Sequence, residues 1–302
     1  MTKRTMSIVN SHARWAFDVN AWKPTLQELK IATSCIQQEE KERLAKFMFQ
    51  EDFKASLAGR LLMRQFVRRA LKVDYNNIHF GRDLLGKPFL MPNSTHGGVT
   101  DCTNKVIDFN VSHQGSFACL AGFIEDSNDS NKLTKIGVDC MKIEYTGGKP
   151  LPEFFRLMTR NFADDEWNYI KSYSSNYCKL EAFMRNWCLK ESYVKNVGTG
   201  ITIDLKKLNF NIKTPELQTK SVVTNTCLQV DGINASNFMF EESLIDNEHC
   251  VAVSIKNNPI NEFYKPQNFE IIEFHELIKD AVSILDVDEN YCIDILKKDL
   301  KN

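Results

Sequence analysis

Apolar positions at 57, 61, 62 and 66 fall three and four residues apart in a stretch, 37–73, that is dense in helix formers, has no proline and holds Gly59 as its single glycine. This pattern predicts two consecutive helices breaking near 50–52. Arg60, Arg64 and Arg68 recur every fourth residue on another face and read first as a solvated row. Short apolar segments at 78–80, 106–111 and 117–124, with Gly86-Lys87-Pro88 as a turn, predict a small, mostly antiparallel sheet. The stretch 125–135 (EDSNDSNKLTK) is polar and lacks periodicity, so it reads as a linker. Beyond it come a strand at 136–138, helices at 153–162 and 164–172, and a longer helix at 180–197 that stops at Gly198. Strand-like segments follow at 201–205, 227–230 and 250–255, then a tail with a helix near 275–285. Both halves read as helices on a small sheet, an α+β pattern. The expected division is 1–128, 129–258 and a tail, 259–302, that packs on the first half or is partly disordered.

Composition narrows the class. The 302 residues suit two domains, and 43% apolar with 25% charged residues is globular. Thirty-eight basic against 39 acidic side chains leave a net charge of −1, which offers no whole-chain reason to bind nucleic acid. The longest apolar run, 117–124, is far short of the roughly 20 residues of a membrane span. Polar residues Ser7, Asn10, Ser11 and His12 interrupt any signal-peptide core, so a cytoplasmic chain is expected. Nine cysteines without a C-x-x-C pair favour reduced thiols over structural zinc.

Three local features carry chemistry. On the long helix, Leu180, Phe183, Met184, Trp187, Glu191 and Val194 share one face, which puts a carboxylate at a core-facing position. An ionised carboxylate there needs a cation or hydrogen bonds, and Lys190 and Lys195 bracket it; an ordinary helix-end salt bridge is the simpler alternative. Asp139 directly follows the strand 136–138, and two carboxylates without Cys or His would suit a hard cation such as Mg²⁺. Asn110, Val111, Ser112 and His113 leave a strand as small polar donors suited to an anion, although adjacent Ser and His do not make a nucleophile–base pair. Neither a G-x-x-x-x-G-K-[ST] loop nor a strand-linked G-x-G-x-x-G, H-E-x-x-H or G-x-S-x-G is present, so the common nucleotide-fold, metalloprotease and hydrolase motifs are missing.

In order and identity these pieces resemble the Sfp-type 4'-phosphopantetheinyl transferases. The blocks are Gly86-Lys87-Pro88, Phe109-Asn110-Val111-Ser112-His113, Ile136-Gly137-Val138-Asp139 and Trp187-Cys188-Leu189-Lys190-Glu191-Ser192-Tyr193-Val194-Lys195, the last in the form W-x-x-K-E-S-x-x-K. Arg14-Trp15-Ala16-Phe17, Glu39 to Arg43, Ala58 to Leu61 and Pro152 to Phe155 are similar to the animal members, and the resemblance spans about 14–255.

The resemblance implies a monomer of two similar α+β halves related by a pseudo-two-fold axis, with coenzyme A in the cleft between them. It implies a holo-acyl-carrier-protein synthase that moves the phosphopantetheine arm of CoA to a serine of an apo carrier protein and releases 3',5'-ADP. Asp139 and Glu191 would hold Mg²⁺, Glu191 would help deprotonate the serine, and Lys190 and Lys195 would neutralise the pyrophosphate. Arg43, the segment from Arg82 through Gly86 to Lys87, and Asn110, Val111, Ser112 and His113 would hold the nucleotide end, with Ser192 in the same binding block. Met141 stands where many bacterial members have a third acid, so two protein carboxylates are expected at the metal. The carriers implied are those of fatty-acid synthase, an aminoadipate-reducing enzyme and a mitochondrial carrier protein, whose acidic helix offers a second reading of the Arg60, Arg64 and Arg68 row. The rival from another class is a module that grips CoA without turning it over.

Overall fold

The computed structural model describes residues 12–91, 105–126, 134–257 and 264–300. Strand β1 (His12–Asp18) leads into α1 (Leu26–Ser34), where Thr25 and Glu28 form a reciprocal capping box, the Glu28 N–H donating to Thr25 Oγ1 at 3.1 Å. Helices α2 (Gln38–Ala45) and α3 (Gln50–Leu71) follow, broken at 46–49. A short hairpin, β2 (Phe80–Arg82) and β3 (Pro88–Leu90), turns through Gly86 at φ +88°. Long strands β4 (Lys105–Gln114) and β5 (Phe117–Asp126) complete an antiparallel core of order β1-β5-β4.

Helix α3 lies on this sheet because the sheet leaves room for it. A side chain at Gly122 would overlap the Phe66 ring, so the glycine admits the aromatic that anchors the helix. Leu57, Leu61, Leu62 and Phe66 enter the first core as the periodicity predicts. The arginine row departs from its expected solvated face. Arg64 is fully buried and donates to the carbonyls of Tyr75 (3.2 Å) and Ile78 (3.0 Å), while Arg60 is buried beside Glu40 and bonds back to Ser56. Arg68 alone is partly exposed, and it pairs with Asp280 at 3.0 Å. With Arg64 and Arg60 buried and Arg68 paired, the three do not form a free cationic row for a carrier.

The second half repeats the arrangement. Strand β6 (Lys135–Lys142) is followed by α4 (Leu151–Leu157), α5 (Asp164–Ser172) and α6 (Asn176–Val197). A small sheet of β7 (Leu208–Asn211), β8 (Cys227–Val230) and β9 (Ile233–Asn234) precedes β10 (Phe238–Leu244) and β11 (His249–Lys256), which pair with β6 in the order β10-β11-β6. Ser175 caps the start of α6 and Gly198, at φ +68°, ends it. Each half therefore sets one 22-residue helix on an antiparallel sheet, an α+β fold of two similar halves. The strand expected at 201–205 is instead a pair of 3₁₀ turns, because Gly200 takes φ +59° and the Asp204 side chain accepts from the Lys206 N–H.

The two sheets face each other across a third core that includes Ala16, Cys119, Ala121, Val138, Cys140 and Val253, and along one seam side chains of β4 reach the backbone of β6. Asp108 accepts the Ile136 N–H (2.8 Å), Asn110 accepts the Val138 N–H (2.9 Å) and Gln114 accepts the Lys142 N–H. Alternate β4 residues thus satisfy the free edge of β6, whose other edge pairs with β11. The buried pair Arg14–Glu241 (2.8 Å) ties β1 to β10 across the same seam. His249 adds a third tie, accepting the Ser116 N–H at 3.1 Å while its other ring nitrogen faces Asp246 at 2.9 Å.

After the second half the chain returns to the first. Strand β12 (Glu270–Ile271) pairs parallel with β1, α7 (Phe274–Leu277) stacks Phe274 on Trp22, and α8 (Glu289–Leu296) places Cys292 and Ile295 in the first core. The single helix expected near 275–285 is one turn only. Asp280 at φ +56° interrupts it, and a helix restarts only where Asp288 caps the Tyr291 N–H.

Candidate active site

Strand β4, strand β6 and helix α6 converge at the seam. Gly137 is what lets α6 sit there: a methyl group at this position would overlap the Ser192 carbonyl oxygen and the Asn196 nitrogen of the helix. Gly137→Ala is therefore expected to destabilise the protein by about 1–3 kcal/mol through overpacking and to tilt α6. Urea denaturation of the purified variant checks this, and wild-type stability would show that the contact relaxes cheaply.

Two residues beyond Gly137, Asp139 is buried at 5% exposure, and its Oδ1 atom is fully engaged. Lys195 Nζ donates to it at 2.6 Å and Ser112 Oγ at 2.8 Å, while Lys195 also donates to Ser112 Oγ at 2.8 Å. Oδ2, by contrast, is buried with no hydrogen-bond partner. Burial opposes the Lys195 charge, but the adjacent Asp139 carboxylate outweighs it and raises the lysine pKa above its usual value. One turn before Lys195, Glu191 is half-buried and makes no ion pair or hydrogen bond with the described residues. Desolvation, reinforced by the nearby Asp139 charge, pushes its pKa upward.

Glu191 and Lys195 open onto a cavity of about 630 Å³ between the halves. From the first half, Arg82, Gly86, Lys87, Asn110 and Val111 line it, so most of the positions expected at the nucleotide end are brought together. Arg82 is braced by the Gly86 carbonyl at 2.7 Å, and Lys87 reaches Asp108 at 3.5 Å. Arg43 is exposed on α2 beside them. Burial first, then the Arg43 charge, lowers the Arg82 pKa, as expected where cations crowd without enough acid.

Other members of the motif blocks lie elsewhere. Lys190, expected at the pyrophosphate, is fully buried on another face of α6, where it pairs with Glu166 at 2.8 Å and donates to the carbonyls of Leu205 and Leu208. Burial pushes Glu166 up and Lys190 down, and their mutual attraction only partly offsets this. Ser192 is also buried, its hydroxyl donating to the Leu189 carbonyl and its own carbonyl accepting from Ser254. Both face protein because residues one position either side of Glu191 point about 100° away around a helix. Ser112 sits behind the cavity wall as the link between Asp139 and Lys195, and His113 is exposed on β4 away from the cavity lining.

The cavity also includes residues that the sequence reading passes over: Arg160 and Asn161 from the 3₁₀ turn after α4, and Ile203, Asp204 and Leu205 after α6. Only folding brings these short turns against Glu191. Among the described residues no group of three or more Cys, His, Asp or Glu gathers, so the two carboxylates stand as a pair. Their all-oxygen donors, one of them a buried oxygen without a partner, fit a hard divalent cation better than a softer metal.

The chain is similar in sequence to known proteins. Residues 20–125 match the family described as 4'-phosphopantetheinyl transferase, N-terminal, and residues 135–254 match the 4'-phosphopantetheinyl transferase superfamily. The human L-aminoadipate-semialdehyde dehydrogenase-phosphopantetheinyl transferase is 35% identical over 288 residues, 92% of this chain and 89% of its own. The Xenopus laevis protein of that name is 34% identical over 96% of this chain and 93% of its own. A phosphopantetheinyl transferase of Thraustochytrium sp. is 34% identical, covering 81% and 78%. The two matches meet at the seam that builds the cavity, and the likeness runs through both walls: the chain belongs to the 4'-phosphopantetheinyl transferase superfamily.

Proposed function

We propose that the cavity between the halves holds coenzyme A, and that the chain transfers its 4'-phosphopantetheine arm to the serine of an apo carrier domain. The observation that carries the site assignment is the carboxylate pair beside a lysine: Asp139 with Oδ2 unpartnered, Glu191 free to meet a ligand, and Lys195 held at 2.6 Å from Asp139. The serine oxygen forms a bond to the phosphorus that carries pantetheine, and the bond from that phosphorus to the 3',5'-ADP oxygen breaks. Arg82 and Lys87 bind the nucleotide end electrostatically, with Arg43 adding to the same field.

Asp139 and Glu191 would hold a Mg²⁺ ion, which when bound neutralises pyrophosphate charge. Lys195 stabilises the charge that collects on the leaving oxygen, and Ser112 keeps Lys195 and Asp139 in register. Glu191 takes the serine proton. Lys195→Ala is expected to weaken CoA binding by about tenfold and to slow transfer further, since a charge-assisted contact is lost in both states. Calorimetric titration with CoA and single-turnover kinetics read the two effects, and unchanged values would remove Lys195 from the site.

An active monomer is the state proposed, the cavity being built by both halves of the one chain. No helix of the described residues is long and apolar enough to cross a membrane, and a cytoplasmic location is proposed. Carriers in fatty-acid synthase, in an aminoadipate-reducing enzyme and in mitochondria are the acceptors proposed. The deciding measurement is the intact mass of an apo acyl carrier protein incubated with the chain and CoA, with Mg²⁺ or with EDTA. A metal-dependent gain of one phosphopantetheine is expected, whereas CoA binding without any gain would make the chain a binding module.

A further inference from the structure

Four cations line the cavity, and three of them are held by the protein itself. Arg82 donates to the Gly86 carbonyl at 2.7 Å, Lys87 to the Ile136 carbonyl at 3.3 Å and Lys195 to Asp139 at 2.6 Å. The fourth, Arg160, makes no side-chain hydrogen bond or ion pair with any described residue. Asp204, the acid on the same wall, accepts the Lys206 N–H at 3.1 Å and makes no ion pair with Arg160. The backbone that carries Arg160 is nevertheless fixed on both sides. The Trp167 indole N–H donates to the Thr159 carbonyl at 3.2 Å, and the Asn161 N–H donates to the Met158 carbonyl at 3.0 Å. Phe162, fully buried, sets its ring centre 5.1 Å from that of Trp167 and 5.0 Å from that of Phe183. A charged side chain on a fixed base, lining a concave site and without a protein partner, suits a group that meets a ligand.

Its place in the cavity selects the ligand atom. Arg82 and Lys87 come from the β2–β3 hairpin and its turn, Glu191 and Lys195 from α6, and Arg160 from the 3₁₀ turn after α4, on the wall of the second half. With the nucleotide at the first wall and the pyrophosphate at α6, the phosphate that carries pantetheine faces the second wall. The pantetheine arm is uncharged, so that phosphate is the anionic group within reach of a cation there. We propose that Arg160 is a further catalytic residue, its guanidinium gripping the non-bridging oxygens of the phosphate that is transferred. The assignment rests on the transferase reading for its ligand and divides the cations of that site between the two phosphates. The serine oxygen bonds to this phosphorus while the bond from the phosphorus to the bridging oxygen breaks; the electron pair leaves on 3',5'-ADP, and the serine proton passes to Glu191. Arg160 exchanges no proton. Its planar fork matches two phosphate oxygens and stays with the phosphoryl group, whereas Lys195 meets the leaving oxygen.

Arg160→Ala tests this by dissecting the ligand. Calorimetric titration in Mg²⁺, with no carrier present, compares CoA with 3',5'-ADP, which lacks the transferred phosphate. The variant is expected to bind CoA about tenfold more weakly and 3',5'-ADP within about twofold of wild type, whereas Arg82→Ala should weaken both alike. At saturating carrier, kcat should fall about a hundredfold, and Arg160→Lys should recover part of it, because a point charge replaces the fork. Equal losses for CoA and 3',5'-ADP would move Arg160 to the nucleotide end and overturn the proposal. A raised KM for carrier with unchanged kcat and CoA affinity would assign it to the acceptor and overturn it as well. Should wild type bind CoA and transfer nothing, the transferase reading falls, and the contrast between CoA and 3',5'-ADP still upholds or overturns the Arg160 contact.

Discussion

Glu191→Gln is expected to lower phosphopantetheine transfer by about a thousandfold while leaving the fold intact. The side chain keeps its shape and loses the charge that pairs with Asp139 around a cation. Its effect on stability has a definite sign. Burial and Asp139 raise the Glu191 pKa in the folded state, so the folded chain holds that proton more tightly than the unfolded chain does. At neutral pH the ionised carboxylate is therefore a cost to folding, and removing it leaves the melting temperature of the ligand-free protein equal or higher. Wild type should gain melting temperature on adding Mg²⁺ and CoA together, and the variant should gain much less. Transfer by Glu191→Gln at near wild-type rate would sink the metal-ligand and base assignments together.

Lys190→Met should act through stability. The residue stands next to Glu191 in the W-x-x-K-E-S-x-x-K block, yet its ammonium is sealed with Glu166 inside the second core. Removing it strands a buried carboxylate that also accepts the backbone N–H groups of Ala163 and Phe210, so Glu166 cannot turn away. The expected loss is about 3–5 kcal/mol, read as a lower urea midpoint. Pairing it with Glu166→Gln should recover part of that loss, since the uncompensated charge disappears while an acceptor remains. CoA affinity of the folded fraction should be unchanged. Normal stability with lost CoA affinity would return Lys190 to the phosphates.

These two substitutions, at neighbouring positions, mark the boundary of what the chain's pattern reveals. Periodicity located α3 and α6, and the Gly198 stop fell where left-handed geometry ends α6. Strand β10 was not visible, because Glu241 and Glu242 stand in its middle. Both are buried, one on Arg14 and the other on Arg185, and a strand whose charges are neutralised from distant elements has no alternating pattern to read. The arginine row misled for the same reason: carbonyls at 75 and 78 and the acids Glu40 and Asp280 drew it inward or tied it down.

The sequence by itself determined the two long helices and the family likeness and singled out two carboxylates as candidates, since these depend on local spacing and residue identity. Which motif residues line the cavity was decided only in three dimensions. Helical geometry places Glu191 and Lys195 one turn apart on one face and sends Lys190 and Ser192 to others, but it does not say which face is open. That depends on β4 and β6 meeting through side chains on one side of α6 and on α5 and β7 closing the other. Arg160 and Asp204 join the cavity from turns 31 residues before and 13 after Glu191 in sequence, because chain reversal brings together what local spacing keeps apart.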